Sequence, residues 1–150
     1  MLSIEVPPAY GYVVLGVGVG TFITNQYLAI GVMSARSKYN IQYPNAYAVP
    51  GYHEKCDEFN RVQRAHQNFL EGFPGYAITA LIGGIRNPIV NAIGCVCYCV
   101  GAILYQRGYV DMSLDAKTAR HMKGGPIKYI GIFTALFTTG ALAFDLIRSK

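Results

Sequence analysis

Between Phe59 and Pro74 the sequence reads FNRVQRAHQNFLEGFP. Arg61, Arg64, Asn68 and Glu71 follow one another at spacings of 3, 4 and 3, which puts them on one face of a helix. Val62, Ala65, Phe69 and Phe73, at 3, 4 and 4, make an apolar stripe beside them. His66 falls off the polar stripe and serves either a neighbouring subunit or the membrane interface. Further along, Tyr105 and Tyr109 are four apart and share a face, with Arg107 beside them, and Arg36 closes an earlier apolar run. Guanidinium groups, a carboxylate, an amide and phenols therefore gather at one depth. That inventory suits a small zwitterionic ligand carrying several carboxylates. Arginines fork onto carboxylates, Glu71 takes an ammonium, and Asn68 and the tyrosines give directional hydrogen bonds. A bare carboxylate near lipid is expensive, so Glu71 requires a cation, either Arg64 or something bound.

The elements that position these groups are written in the charge pattern. Apolar residues make up 52% of the 150 and charged residues 14%, against roughly 25% charged in soluble domains. No Asp, Glu, Lys or Arg occurs in Val6–Ala35, Gly72–Ile85, Asn87–Gln106 or Tyr129–Phe144. A hydrocarbon core about 30 Å thick takes about 20 mostly apolar helical residues. The reading is an all-α membrane protein of one domain over 1–150, a bundle of four transmembrane helices at about 9–33, 67–86, 88–107 and 127–147. A soluble bundle would need a polar face on each helix, and YVVLGVGVGTFITNQYLAIGVM has no charged one. Met1–Pro8 lacks Lys and Arg, and the run after it exceeds a signal-peptide core, so it is expected to stay as the first helix.

Basic residues cluster in and beside the 34–66 and 108–126 segments, leaving only Arg86, Arg148 and Lys150 for the other side. The positive-inside rule then puts both long segments in the cytoplasm. The net charge of +5 is read as a topology signal, not as a nucleic-acid surface. Cys95, Cys97 and Cys99 fall inside a span, Cys97 facing away from the other two, which suits packing and not a metal site. Gly16, Gly18 and Gly20, with Gly83 and Gly84, point to close helix contacts. Asn25 and Gln26 are expected to hydrogen-bond between helices, and Asp145 to pair with Arg148 or reach water.

FNRVQRAHQNFLEGFP, preceded by SARSKYNIQYPNAYA and followed by LYQRGY, resembles the membrane-associated proteins in eicosanoid and glutathione metabolism (MAPEG). Within that family it is most similar to the microsomal glutathione transferase type 3 branch. The resemblance covers nearly the whole chain. It implies a homotrimer of four-helix subunits in the endoplasmic reticulum membrane or, alternatively, the mitochondrial outer membrane, with glutathione as co-substrate near the cytosolic face and no metal. By position it assigns Arg64, Asn68, Glu71, Tyr105 and Tyr109 to the glutathione pocket, with Arg36 and His66 contributed by the adjacent subunit. Ser37 stands where some relatives carry a second arginine. A cation near the last span is implied to stabilise the glutathione thiolate; Arg120 is the first choice and Lys117 the second. The implied reaction is attack of that thiolate on a lipophilic electrophile or lipid hydroperoxide, including leukotriene C4 synthase-type chemistry. The alternative is a non-catalytic lipid-binding scaffold of the same family.

Overall fold

The computed structural model describes residues 5–149; Lys150, counted above in the charge asymmetry, lies outside them. Helix α1 (Tyr10–Lys38) contains a π-helical stretch at Leu15–Gly20. It is followed by α2 (Cys56–Arg86), α3 (Pro88–Tyr109), a single turn α4 (Ala116–Ala119) and α5 (Ile127–Arg148). Local signals explain the boundaries. Asp57 and Glu58 occupy the first turn of α2 and Arg86 its last, each matching the helix dipole. Asn87 alone separates α2 from α3, and Pro88 opens α3, where its missing N–H is no loss. The Asp115 carboxylate accepts from the Lys117 backbone N–H at 2.9 Å and caps α4. Gly124, at φ +87°, turns the chain before Pro126 and α5.

Three of these helices are long and apolar enough to cross a membrane among the described residues: α1, α3 and α5. Their outward faces carry exposed Phe22, Ile23, Ile30, Ile93, Phe133 and Phe137, a surface made for lipid and not for water. The fourth expected span falls within α2, which is not among the helices apolar enough to cross. Helix α2 begins at Cys56, before the expected crossing at 67, and α1 runs to Lys38, past the expected end at 33. Both extensions carry the charged ends of the helices beyond the apolar band.

The core joins Val13, Val17 and Leu28 of α1 to Phe69, Tyr76 and Ala80 of α2, Cys95, Tyr98 and Ala102 of α3 and Ala135 of α5. Helix α5 packs most extensively on α3 and then on α2. Glycine makes the α3–α5 approach possible. A Cβ on Gly101 would stand 2.6 Å from the Lys128 Cα, and one on Gly131 would stand 2.8 Å from the Tyr98 Cβ. Gly16 and Gly20 of α1 receive Cys95 and Cys99, as small-residue packing requires, whereas Gly18 faces open space. Asp145 pairs with Arg86 at 2.5 Å instead of with Arg148, because α2 and α5 lie side by side there. Between α1 and α2 the chain is irregular. A second cluster, including Ile41, Ala48, Cys56 and Phe59, holds it down.

Candidate functional site

Residue by residue, α2 carries the polar stripe as its spacing requires. Arg64 Nη1 donates to Glu71 Oε1 at 2.7 Å, so Glu71 has its cation within the chain. Arg64 and Glu71 are 44% and 48% exposed, leaving both open to a ligand. Asn68 turns toward α5, where its Oδ1 accepts from the Lys128 Nζ at 2.6 Å. The same ammonium sits 3.9 Å from the centre of the Tyr105 ring. Tyr105 lies 5.7 Å, centroid to centroid, from Tyr109.

These groups border two adjoining hollows. The first, about 300 Å³, is walled by Asn68 and Glu71 of α2, Tyr98 and Tyr105 of α3, and Lys128 and Ile132 of α5, among others. The second is a shallower basin of about 500 Å³ bordered by Tyr47, Asn60, Arg61, Arg64, Gln67 and Tyr109. Arg64 and Glu71, joined to each other, stand on opposite sides of the divide. The first hollow is mostly apolar and aromatic with a few polar groups on one side. The basin is rich in donors. Together they offer a path from a polar, cation-lined opening to an apolar wall.

Arg61 ties two elements together. Its Nη1 donates to the carbonyls of Asp111 and Leu114 at 3.0 and 2.9 Å, which holds the segment after α3 against α2. Lys123 tightens the same segment by donating to Asp111 Oδ2 at 2.6 Å. That ammonium, followed by the Ser113 hydrogen bonds, keeps the Asp111 carboxyl well below the usual carboxylate range.

Not every residue expected in the pocket reaches it within one chain. Arg36 donates to the carbonyls of Ile41 and Asn45 at 3.2 and 2.8 Å and lies over the Tyr43 and Phe59 rings. It clamps the segment after α1, away from both hollows. His66 points to α1, its Nε2 3.0 Å from Asn25 Oδ1. An amide oxygen there makes Nε2 the protonated nitrogen, and burial lowers the His66 pKa. Asn25 thus makes the interhelical bond expected of it. Arg120 ends α4 with its side chain exposed, yet its field reaches Tyr105 and Lys128. Lys117 is exposed on α4.

Lys128 is the residue that sequence reasoning passed over. It counts there only as one basic residue among those setting the topology. The signal was present: a lone lysine just past GGP, at the head of the uncharged run Tyr129–Phe144.

The MAPEG family profile matches residues 14–146, and the chain belongs to that family. Among curated proteins it is similar to human microsomal glutathione S-transferase 2, with 33% identity over 118 residues, 77% of this chain and 71% of the relative.

Proposed function

We propose that this chain is a membrane-bound glutathione transferase that binds glutathione across the two hollows and presents its sulfur to acceptors dissolved in the bilayer. One observation carries the reading. Glu71, Asn68, Tyr105 and Lys128 line a hollow whose far wall is apolar, and Arg64, bonded to Glu71, lines the basin beside it. Glutathione has two carboxylates, one ammonium and a thiol. Arg64, with Tyr109 near the basin, meets carboxylates; Glu71 meets the ammonium; Asn68 and Tyr105 fix the backbone of the tripeptide. In a homotrimer, Arg36 and His66 of the adjacent subunit would close the site. Membership of the family and the likeness to a glutathione transferase support this reading.

A free thiol of pKa about 8.5 is mostly protonated at neutral pH, and the thiolate is the nucleophile. A guanidinium or ammonium beside the sulfur shifts that balance. Arg120 is the first rim cation assigned to this work and Lys117 the second. The thiolate then attacks a lipophilic electrophile, forming a thioether as a halide leaves or an epoxide C–O bond opens. Alternatively it attacks the outer oxygen of a lipid hydroperoxide, breaking the O–O bond to give glutathione sulfenic acid and an alcohol, after which a second glutathione gives the disulfide and water. Allylic epoxides, as in leukotriene C4 synthesis, belong to the same class of acceptor. The protein supplies position and charge, and glutathione supplies the reacting atom. The type 3 branch, a fourth crossing by α2, and an endoplasmic reticulum or mitochondrial outer membrane setting with the site toward the cytosol complete the proposal.

The test is saturable glutathione binding by the detergent-purified protein, followed by turnover with a halogenated aromatic, a lipid hydroperoxide and an allylic epoxide. Binding with turnover of at least one acceptor is expected. Binding of lipid alone, with no uptake of glutathione, would instead mark a scaffold.

A further inference from the structure

We infer that Tyr98, on α3, is a catalytic residue: its phenol hydroxyl donates to the oxygen that leaves the acceptor as the sulfur attacks. The acceptors it favours are lipids with an oxygen leaving group, epoxides and hydroperoxides, over those that release a halide. The inference rests on the glutathione reading above.

The first observation is a hydroxyl with nothing to hold. Tyr98 is 3% exposed, and a buried tyrosine O–H usually has a partner. The Tyr98 hydroxyl makes no hydrogen bond to any described residue, yet it is not one of the fully enclosed unpaired side-chain atoms, which are Gln63 Oε1, Asn91 Oδ1 and Gln106 Nε2. It therefore opens into the hollow that Tyr98 lines. Gly72, across from it on α2, has no side chain to cover it; a Cβ there would stand 3.7 Å from the hydroxyl oxygen. A phenylalanine would fill the same space without the cost of an unpaired polar group.

The ring is also fixed in place. It stacks on Tyr76 of α2, with 3.7 Å between centroids and 9° between planes, and lies 5.7 Å from the Phe69 ring. Behind it, Gly131 lets α5 close on the Tyr98 backbone, where a Cβ would stand 3.1 Å from the Tyr98 N. A donor held this firmly is aimed before the reaction begins, the condition under which it helps a transition state most.

Position along α3 selects what the hydroxyl meets. Tyr98, Ala102 and Tyr105, at spacings of 4 and 3, line the hollow from one helix face. Tyr105 stands at the polar end with Asn68 and Lys128. Tyr98 lies seven residues back toward the apolar end, about 10 Å along the axis, and small Ala102 leaves the space between the two rings open. An acceptor from the bilayer fits beside Phe69 and Ile132, with its reacting group between the tripeptide and Tyr98. Glu71 is held by Arg64, and a carboxylate paired with a guanidinium accepts and does not donate. A phenol, with an ordinary pKa of about 10, keeps its proton at neutral pH.

With an epoxide, the sulfur–carbon bond forms, the carbon–oxygen bond breaks, and the alkoxide takes the Tyr98 proton. With a hydroperoxide, the sulfur bonds to the outer oxygen, the O–O bond breaks, and the alkoxide takes the same proton, leaving glutathione sulfenic acid. Water then returns a proton to the phenolate. Chloride leaves as a stable anion and needs none.

The experiment compares Tyr98→Phe and Tyr76→Phe with the unsubstituted protein. Turnover is read with an allylic epoxide, a lipid hydroperoxide and a benzylic chloride, glutathione affinity by calorimetry, and fold by thermal unfolding in detergent. In Y98F, turnover of the two oxygen acceptors is expected to fall about 100-fold, with benzylic chloride turnover and glutathione affinity changed less than about threefold. Y76F, which removes the hydroxyl of the stacked ring, leaves the ratio between acceptors unchanged. A second variant keeps the shape of the side chain: 3-fluorotyrosine at position 98, a stronger acid, is expected to raise the epoxide rate and not the chloride rate. Equal loss with all three acceptors in Y98F, or the same split in Y76F, overturns the assignment alone. So does a loss of glutathione affinity in Y98F that accounts for the lost turnover, or a 3-fluorotyrosine protein with an unchanged epoxide rate. Failure of the unsubstituted protein to bind glutathione removes the parent reading, and this assignment with it.

Discussion

Arg64 and Glu71 meet at 2.7 Å although seven residues separate them on one helix, about two turns. Neither is buried, so the pair contributes little to holding α2 together; exposed ion pairs are worth about 0–1 kcal/mol. On the proposed function its value lies in ligand binding, where each partner can trade the other for a group of glutathione.

Glu71→Gln is therefore expected to leave the unfolding temperature nearly unchanged. Glutathione affinity should fall about 10- to 100-fold, the usual scale for losing a charge-assisted hydrogen bond. Calorimetry beside a thermal melt reads both quantities in one preparation.

Arg120→Ala should lower turnover more than glutathione affinity, because Arg120 touches the pocket through its field and not through a contact. A larger turnover loss in Lys117→Ala, with Arg120→Ala silent, would move the rim role to Lys117. Steady-state kinetics with saturating acceptor separates the two.

His66 makes stability depend on pH. Burial holds its folded pKa below the ordinary value, which is about 6.5 for an unfolded chain. The neutral form is thus favoured in the fold, and its stability is intact above about 6.5 and declines as pH falls below that. The unfolding temperature should drop on going from about pH 7.5 to about pH 5.5, and drop less in His66→Gln.

Gly101→Ala tests the closeness of α3 and α5. The new methyl group would lie 2.6 Å from the Lys128 Cα, so the helices must separate. Overpacking of this kind costs about 1–3 kcal/mol. A lowered unfolding temperature is expected, and a thermal melt in detergent checks it.

The polar stripe was legible because a helix repeats every 3.6 residues, and Arg64, Asn68 and Glu71 keep to that period. Tyr105 could be brought to them by counting apolar residues across a membrane. The helix ends were less legible, since hydrophobicity marks where lipid stops and not where backbone hydrogen bonding stops; hence α2 starts at Cys56. Arg36 and Asp145 illustrate another limit. Each found a partner set by how segments lie beside one another, the carbonyls of Ile41 and Asn45 in one case and Arg86 in the other. Lys128 was hidden for the same reason. In sequence it looks like a charge at a membrane edge, and only the pressing together of α3 and α5 turns it inward.

The one-residue turn at Asn87 works as a ruler. Asn68 lies 19 residues before it and Tyr105 18 residues after it, so two antiparallel helices climbing from the same point bring both side chains to nearly equal height. At 1.5 Å per residue that height is about 28 Å, close to the thickness of the hydrocarbon layer, about 30 Å. Alignment of the two walls, and on the proposed four-span reading their depth in the bilayer, are thus set by chain length from a single hinge. Inserting or deleting one residue anywhere along either arm would shift one wall by about 1.5 Å and rotate it by about 100°, dismantling the pocket without altering any residue in it.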